Sequence, residues 1–248
     1  MKKTLFFARR NWLEMRRDPI SLFFGVAFPI ILLLLLSLID RSIPAEAQMH
    51  LFEIENLAPG IAVFGLAFLT LFSAQLVAKD RESALLQRLY TTPLRASDFI
   101  LGYLLPLLPI ATAQCVLTYA FAVALGLRVT VTLLYAVAFV LPVALFYVSL
   151  GLLCGSVMNV KQVGGICGAL LTNLSAWLSG IWFDLKLVGG AFERIAYLLP
   201  FVHAVELERA VVRGDWAAVP AHLLWVLGYA AAITLCAVLL FLRQMKRQ

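Results

Sequence analysis

Charge is what this sequence has least of. Only 14% of its 248 residues are Asp, Glu, Lys or Arg, while 62% are hydrophobic and the mean hydropathy is +0.93. Soluble domains run at roughly 25% charged and 45 to 50% apolar residues, so an ordinary soluble domain is excluded. The scarcity is also uneven. Six runs carry no Asp, Glu, Lys or Arg: Ile20 to Ile39, Leu57 to Ala78, Phe99 to Leu125, Val131 to Val157, Gln162 to Phe183 and Ala217 to Leu242. A hydrocarbon core about 30 Å thick takes roughly 20 apolar residues per helix. The runs are continuously apolar rather than alternating, which predicts helices and not barrel strands. The fold class that follows is an all-α polytopic membrane protein with six transmembrane helices, in one domain spanning residues 1–248.

Further absences narrow the function. The chain has no Gly-Lys dipeptide and therefore no GxxxxGK[ST] phosphate loop, so any ATP that drives it binds to another polypeptide. The interiors of the six spans hold no Asp, Glu or Lys, which argues against a proton- or sodium-coupled carrier. No Asp or His is spaced to activate a Ser or Thr, so no catalytic site is predicted. His50, His203 and His222 are scattered, and His203 with Glu206 lacks further ligands, so no metal is predicted. Cys115, Cys154, Cys167 and Cys236 fall one each in spans three to six, a spacing that suits apolar filling rather than a disulfide framework. The formal net charge of +6 is not gathered into a basic, aromatic-interleaved tract, so no nucleic-acid partner is expected.

The basic residues instead report orientation. Placing both termini and the loops at 79–98 and 158–161 on one side gathers fourteen of the twenty Lys and Arg there, which predicts cytoplasmic termini. Cleavage after a signal peptide ending at Ala45-Glu46-Ala47 is the competing reading, opposed by an apolar run too long for a signal sequence. Residues 1–18 form a basic interfacial helix on which Leu5, Ala8, Trp12 and Met15 share the apolar arc and Arg10, Asn11, Glu14 and Arg17 the far side. Asp18-Pro19 suits an N-cap and first helical residue, turning the chain into span one. Residues 40–56 make an acidic outer loop. Gly164, Gly165, Gly168 and Gly180 mark span five as an interface helix, whose Thr172, Asn173 and Ser175 must face protein or a cavity. The outer segment 184–216 reads as two short helices joined near Pro200, re-entrant or interfacial, with Gly214 ending the second.

Between spans two and three lies KDRESALLQRLYTTPLRASD, residues 79–98. On a helical wheel Leu85, Leu86, Leu89 and Tyr90 form an apolar arc with Glu82 in its middle. A carboxylate buried among leucines needs a cation, and Arg9, Arg10, Arg16 and Arg17 of the N-terminal helix are the candidates. The alternative is a Glu82 that faces water. Pro93 ends this helix, and Ser97 or Asp98 can cap the next span.

The run RESALLQRLYTTPLRASDFILG resembles the cytoplasmic segment of permeases of the ATP-binding cassette (ABC) type-2 exporter family, and LPFVHAVELERAVVRGD resembles that family's pattern ahead of span six. Departures are Ala84-Leu85 where the family usually has Gly-Thr, and Gln87 where it usually has Glu. The resemblance implies a permease subunit of an exporter, with no ATPase site of its own, moving a hydrophobic or amphipathic substrate out of a prokaryotic inner membrane, as in multidrug efflux. It implies a second permease, homodimeric or heterodimeric, and a separate ATPase subunit that binds ATP and Mg. Export of a lipid-linked glycan, or ion-coupled transport, are the alternatives. The ATPase-coupling residues would be Glu82, Leu85, Leu86, Arg88, Leu89, Thr92, Pro93, Leu94 and Arg95, with Arg9, Arg10, Arg16 and Arg17 as their partners. Spans two and five would line the substrate path through Phe64, Phe68, Leu71, Gln75, Thr172, Asn173 and Ala176, although a phenylalanine stripe equally suits helix packing.

Overall fold

The computed structural model describes residues 2–44, 50–91 and 96–245, and its regular elements are all helical. Helix α1 (Lys2–Arg16) precedes α2 (Pro19–Ser42), α3 (Ile54–Glu82), the short α4 (Leu85–Tyr90), α5 (Ser97–Ala124) and α6 (Val131–Val157). Helix α7 covers 160–177. The short helices α8 (Leu185–Val188), α9 (Gly190–Leu198) and α10 (Pro200–Arg213) lead to the last helix, α11 (Val219–Met245).

Among the described residues five helices are long and apolar enough to cross a membrane: α2, α3, α5, α6 and α11. The fifth predicted run, 162–183, forms α7 instead, which begins with an Asn159–Gln162 capping box, passes through a π-helical stretch at Gly164–Leu171 and ends at Trp177. Beyond Trp177 the chain turns, with Gly180 at φ +70°. Leu178 to Phe183 are uncharged but not helical, so the uncharged run is longer than the helix it contains.

Helix α3 is the axis of the bundle. In its apolar window 89% of residues are buried inside the chain, against 22% for α2 and 17% for α11, which therefore form the flanks. Its tightest neighbour is α6. A Cβ on Gly151 would overlap the Ser73 hydroxyl and the Thr70 carbonyl, and one on Gly155 would sit 2.5 Å from the Ala74 carbonyl. Gly151 and Gly155 are thus a small-xxx-small pair that brings two backbones together. The Thr70 and Ser73 hydroxyls then reach across to the Tyr147 and Val148 carbonyls at 2.9 and 3.1 Å.

Helix α1 packs on the first part of α5. Asp18 caps α2 as the Asp-Pro pair predicts, accepting from the Ser21 amide at 3.1 Å. The predicted faces of α1 require correction. Thr4, Phe7, Ala8, Asn11 and Met15 are buried, whereas Leu5 and Trp12 are exposed. The wheel separates apolar from polar residues, but Asn11 lies in the protein because it donates to the Gly102 carbonyl at 3.0 Å. Gly102 has no Cβ at a point where Phe7 would collide with one. Leu5, Phe6 and Trp12 are left as an outward apolar strip.

Candidate functional site: a buried polar network and a helix-lined face

Where α1, α3 and α5 converge, Asp80 is 1% exposed and accepts two hydrogen bonds, from Arg10 at 2.6 Å and from the Tyr103 hydroxyl at 2.8 Å. Arg10 also pairs with Glu14 at 2.8 Å and donates to the Asn11 side chain at 2.7 Å. Partial burial opposes the Arg10 charge; hydrogen bonding and attraction to Asp80, with Glu14 adding, outweigh it and raise the guanidinium above its ordinary value. Thr4 donates to Asp98 at 2.6 Å, a second tie between α1 and the start of α5.

The next residues fasten α3 to the turn before α7. Arg81 donates to the Ser156 carbonyl and, at 2.6 Å, to the Met158 carbonyl. Glu82 accepts from the Val160 amide at 2.9 Å, adding a carboxylate to the positive end of α7. Helix α3 stops there, and Ala84 adopts φ +57° before α4 begins. Such a φ costs a residue with a side chain roughly 1 to 2 kcal/mol. On α4, Leu86 is buried, Leu85 and Leu89 are half-buried and Arg88 is exposed.

This arrangement corrects the reading of Glu82. It is exposed and caps α7 rather than lying among leucines against an arginine. A wheel drawn through 80–90 assumes one helix, and the left-handed turn at Ala84 resets its phase. The buried carboxylate is Asp80, two residues earlier, and its cation is Arg10; Arg9, Arg16 and Arg17 are exposed. Continuing the buried phase of span two, Ser73, Val77 and Asp80, would have found it. Thr92, Pro93, Leu94 and Arg95 lie outside the described residues. Beside this network a cavity of about 780 Å³ is lined by Arg10, Glu14, Arg17, Asp18 and Lys79.

Of the residues expected along a substrate path, Phe64 and Phe68 are 7% and 6% exposed, in a cluster with Phe24, Phe28 and Trp182 at ring separations of 5.6 to 6.5 Å. Within one chain they therefore pack against α2 and the turn after α7. Leu71 meets α7 at Gly168. Gln75 lines a small crevice with Glu14 and Lys79. Thr172 and Ala176 are buried, the Thr172 hydroxyl donating to the Cys167 carbonyl at 2.9 Å. Asn173 is exposed and donates to the Ala169 carbonyl at 2.7 Å.

At the other end of the bundle Arg209 of α10, 5% exposed, pairs with Glu206 at 2.8 Å and donates to the Gly180 and Asn56 carbonyls at 3.0 and 3.3 Å. His203 and His222 are not scattered in space: their Nδ1 atoms are 2.9 Å apart, and His203 stacks on Trp225. Burial lowers the His203 pKa, and its hydrogen bond to the Tyr197 carbonyl works the other way.

A family model described as "ABC-2 type transporter" matches residues 3–212. The chain belongs to the ABC-2 type transporter family. A search of curated proteins finds no match. The ABC-2 match runs from α1 through α10, so the Asp80 network and Arg209 both lie within it. The chain is accordingly an ABC-type permease subunit and a multi-pass membrane protein, and ABC-2 permeases normally work with an ABC ATPase.

Proposed function

We propose that this permease forms an exporter with a second permease and two ATPase subunits, which bind ATP and Mg and dock at the end bearing α1, α4 and Asp80. The observation that carries the reading is the Asp80 network: a buried carboxylate joins α1, α3 and α5, and the next two residues of α3 hold the start of α7. A push on α1 would thus reach α3, α5 and the start of α7 through polar contacts with little slack. The exposed Arg88 and half-buried Leu85 and Leu89, with Thr92, Pro93, Leu94 and Arg95, would meet the ATPase, while Leu86 fixes α4 to the bundle.

The positive-inside charge distribution supports cytoplasmic termini in a prokaryotic inner membrane. In this reading α7 is the sixth crossing, shortened and flanked by the α8–α10 segment. The Phe64 and Phe68 cluster, Leu71, Gln75 and the α7 residues Thr172, Asn173 and Ala176 would border a path between the two permeases. Their uncharged and partly aromatic character suits a hydrophobic or amphipathic substrate.

The test is co-purification from native membranes, followed by reconstitution in vesicles. The expected result is transport that requires the co-purified ATPase and Mg-ATP, with Arg88→Glu reducing it while leaving thermal stability unchanged. A chain that transports alone and is indifferent to ATP depletion overturns the reading.

A further inference from the structure

Helix α10 packs among α3, α6 and α11, and one of its residues is out of keeping with that setting. Glu208 is 0% exposed. Its Oε2 accepts a hydrogen bond from the Tyr119 hydroxyl of α5 at 3.1 Å, and its Oε1 has no hydrogen-bond partner among the described residues. A buried carboxylate supported by a single phenol is far costlier than the neutral acid in the same place.

Among the described residues no neighbouring group supplies a countercharge. From α5, Tyr119 and Cys115 face Glu208. Between Leu57 and Ala78, α3 carries no charged side chain. On α6, Tyr135 meets Trp216, Tyr147 meets Ser175 and Cys154 meets Cys167. In the first half of α11, His222 meets His203 and Tyr229 donates to the Leu198 carbonyl. On α10 itself, Arg209 is engaged by Glu206, Gly180 and Asn56, and Arg213 by Asn56. Burial accordingly raises the Glu208 carboxyl from 4.5 to about 8, the Tyr119 hydrogen bond pulling in the opposite direction.

We propose that Glu208 is a proton-binding site: with α10 seated as it is here, Oε1 carries a proton, and release of that proton to solvent favours arrangements in which α10 has withdrawn and the carboxylate is hydrated. The neighbouring Arg209 ties α10 to the start of α3 and to the turn at Gly180. Occupancy of the site would therefore bias closure at this end of the bundle. The inference stands on the contacts of Glu208 alone and does not depend on the partner or substrate proposed above.

Infrared difference spectra of the full-length chain in lipid nanodiscs, taken between about pH 6 and pH 9, read the site directly. The wild type should lose the carbonyl band of one protonated carboxylic acid with a midpoint near 8, and Glu208→Gln should lack that change. Tyr119→Phe should keep it and move its midpoint to higher pH, because the phenol favours the ionised form. Backbone hydrogen exchange in α10, corrected for its intrinsic pH dependence, should rise above the midpoint in the wild type and not in Glu208→Gln. The same band in Glu208→Gln, or an unmoved midpoint in Tyr119→Phe, overturns the assignment. An equal rise in exchange in both chains overturns the link to α10. Should Glu208→Gln fail to assemble, the Tyr119→Phe midpoint decides: an upward shift supports the site and none refutes it.

Discussion

Asp80 and Glu208 are the two carboxylates buried most deeply among the described residues, at 1% and 0% exposure, and each accepts a hydrogen bond from a tyrosine on α5. Only Asp80 also meets a guanidinium, at 2.6 Å. The difference teaches how one bundle uses buried carboxyl groups in two ways. One that meets a guanidinium fastens helices together. An unpaired one gives up its charge and becomes responsive to pH.

The most severe way to break the comparison is to take the cation from Asp80. Arg10→Ala should cost about 3 kcal/mol in thermal unfolding of the detergent-purified chain, since it strands a buried charge; the half-exposed position of Arg10 keeps the loss at the lower end. Adding Asp80→Asn should restore part of it, and additive losses would refute direct coupling. Next in size, Gly102→Leu should separate α1 from α5 through Phe7 and loosen the Arg10–Asp80 pair without altering either residue, at roughly 1 to 3 kcal/mol; near-native unfolding would show that the pair does not need that contact.

Isosteric neutralisation sharpens the contrast. Asp80→Asn alone should destabilise by about 2 kcal/mol through the hydrogen bonds it weakens, while Glu208→Gln should lie within about 1 kcal/mol of the wild type below pH 4.5, where the native acid is neutral as well. The pH profile carries the sign. Glu208 has a folded value raised above 4.5, so its contribution is fully present below 4.5 and is lost as pH rises through about 8. The wild type should lose stability across that window, and Glu208→Gln should lose less. The smallest expected effect is a gain: Ala84→Gly removes the penalty of φ +57° and should add up to about 1 kcal/mol at every pH, leaving both carboxylates as they are. A pH-dependent gain would mean that the α3–α4 corner senses one of them.

The long apolar helices were legible because freedom from charge is a necessary condition for a membrane span: α2, α3, α5, α6 and α11 follow the uncharged runs closely. That condition is not sufficient. Residues 178–183 are uncharged yet form a turn, because Gly180 takes a left-handed conformation and Trp182 packs on Phe64 rather than extending a helix. Where α1, α3 and α5 converge, a buried carboxylate opposite an N-terminal arginine was foreseeable in kind. Its position was not, since Glu82 and Asp80 exchange roles once Ala84 breaks the helix. Glu208 was hidden differently: α10 alternates apolar and charged residues as a surface helix would, and only the fold reveals that most of it is enclosed.

The close approach of α3 and α6 at Gly151 and Gly155 has a mechanical meaning. Where backbone meets backbone, no compressible side chain lies between the helices to absorb a tilt, so the two behave as a single girder. Helix α3 has 29 residues, about 43 Å at 1.5 Å per residue. A small rotation of this girder at Asp80 would be delivered at the far end as a larger displacement of Asn56, the residue that Arg209 and Arg213 grip.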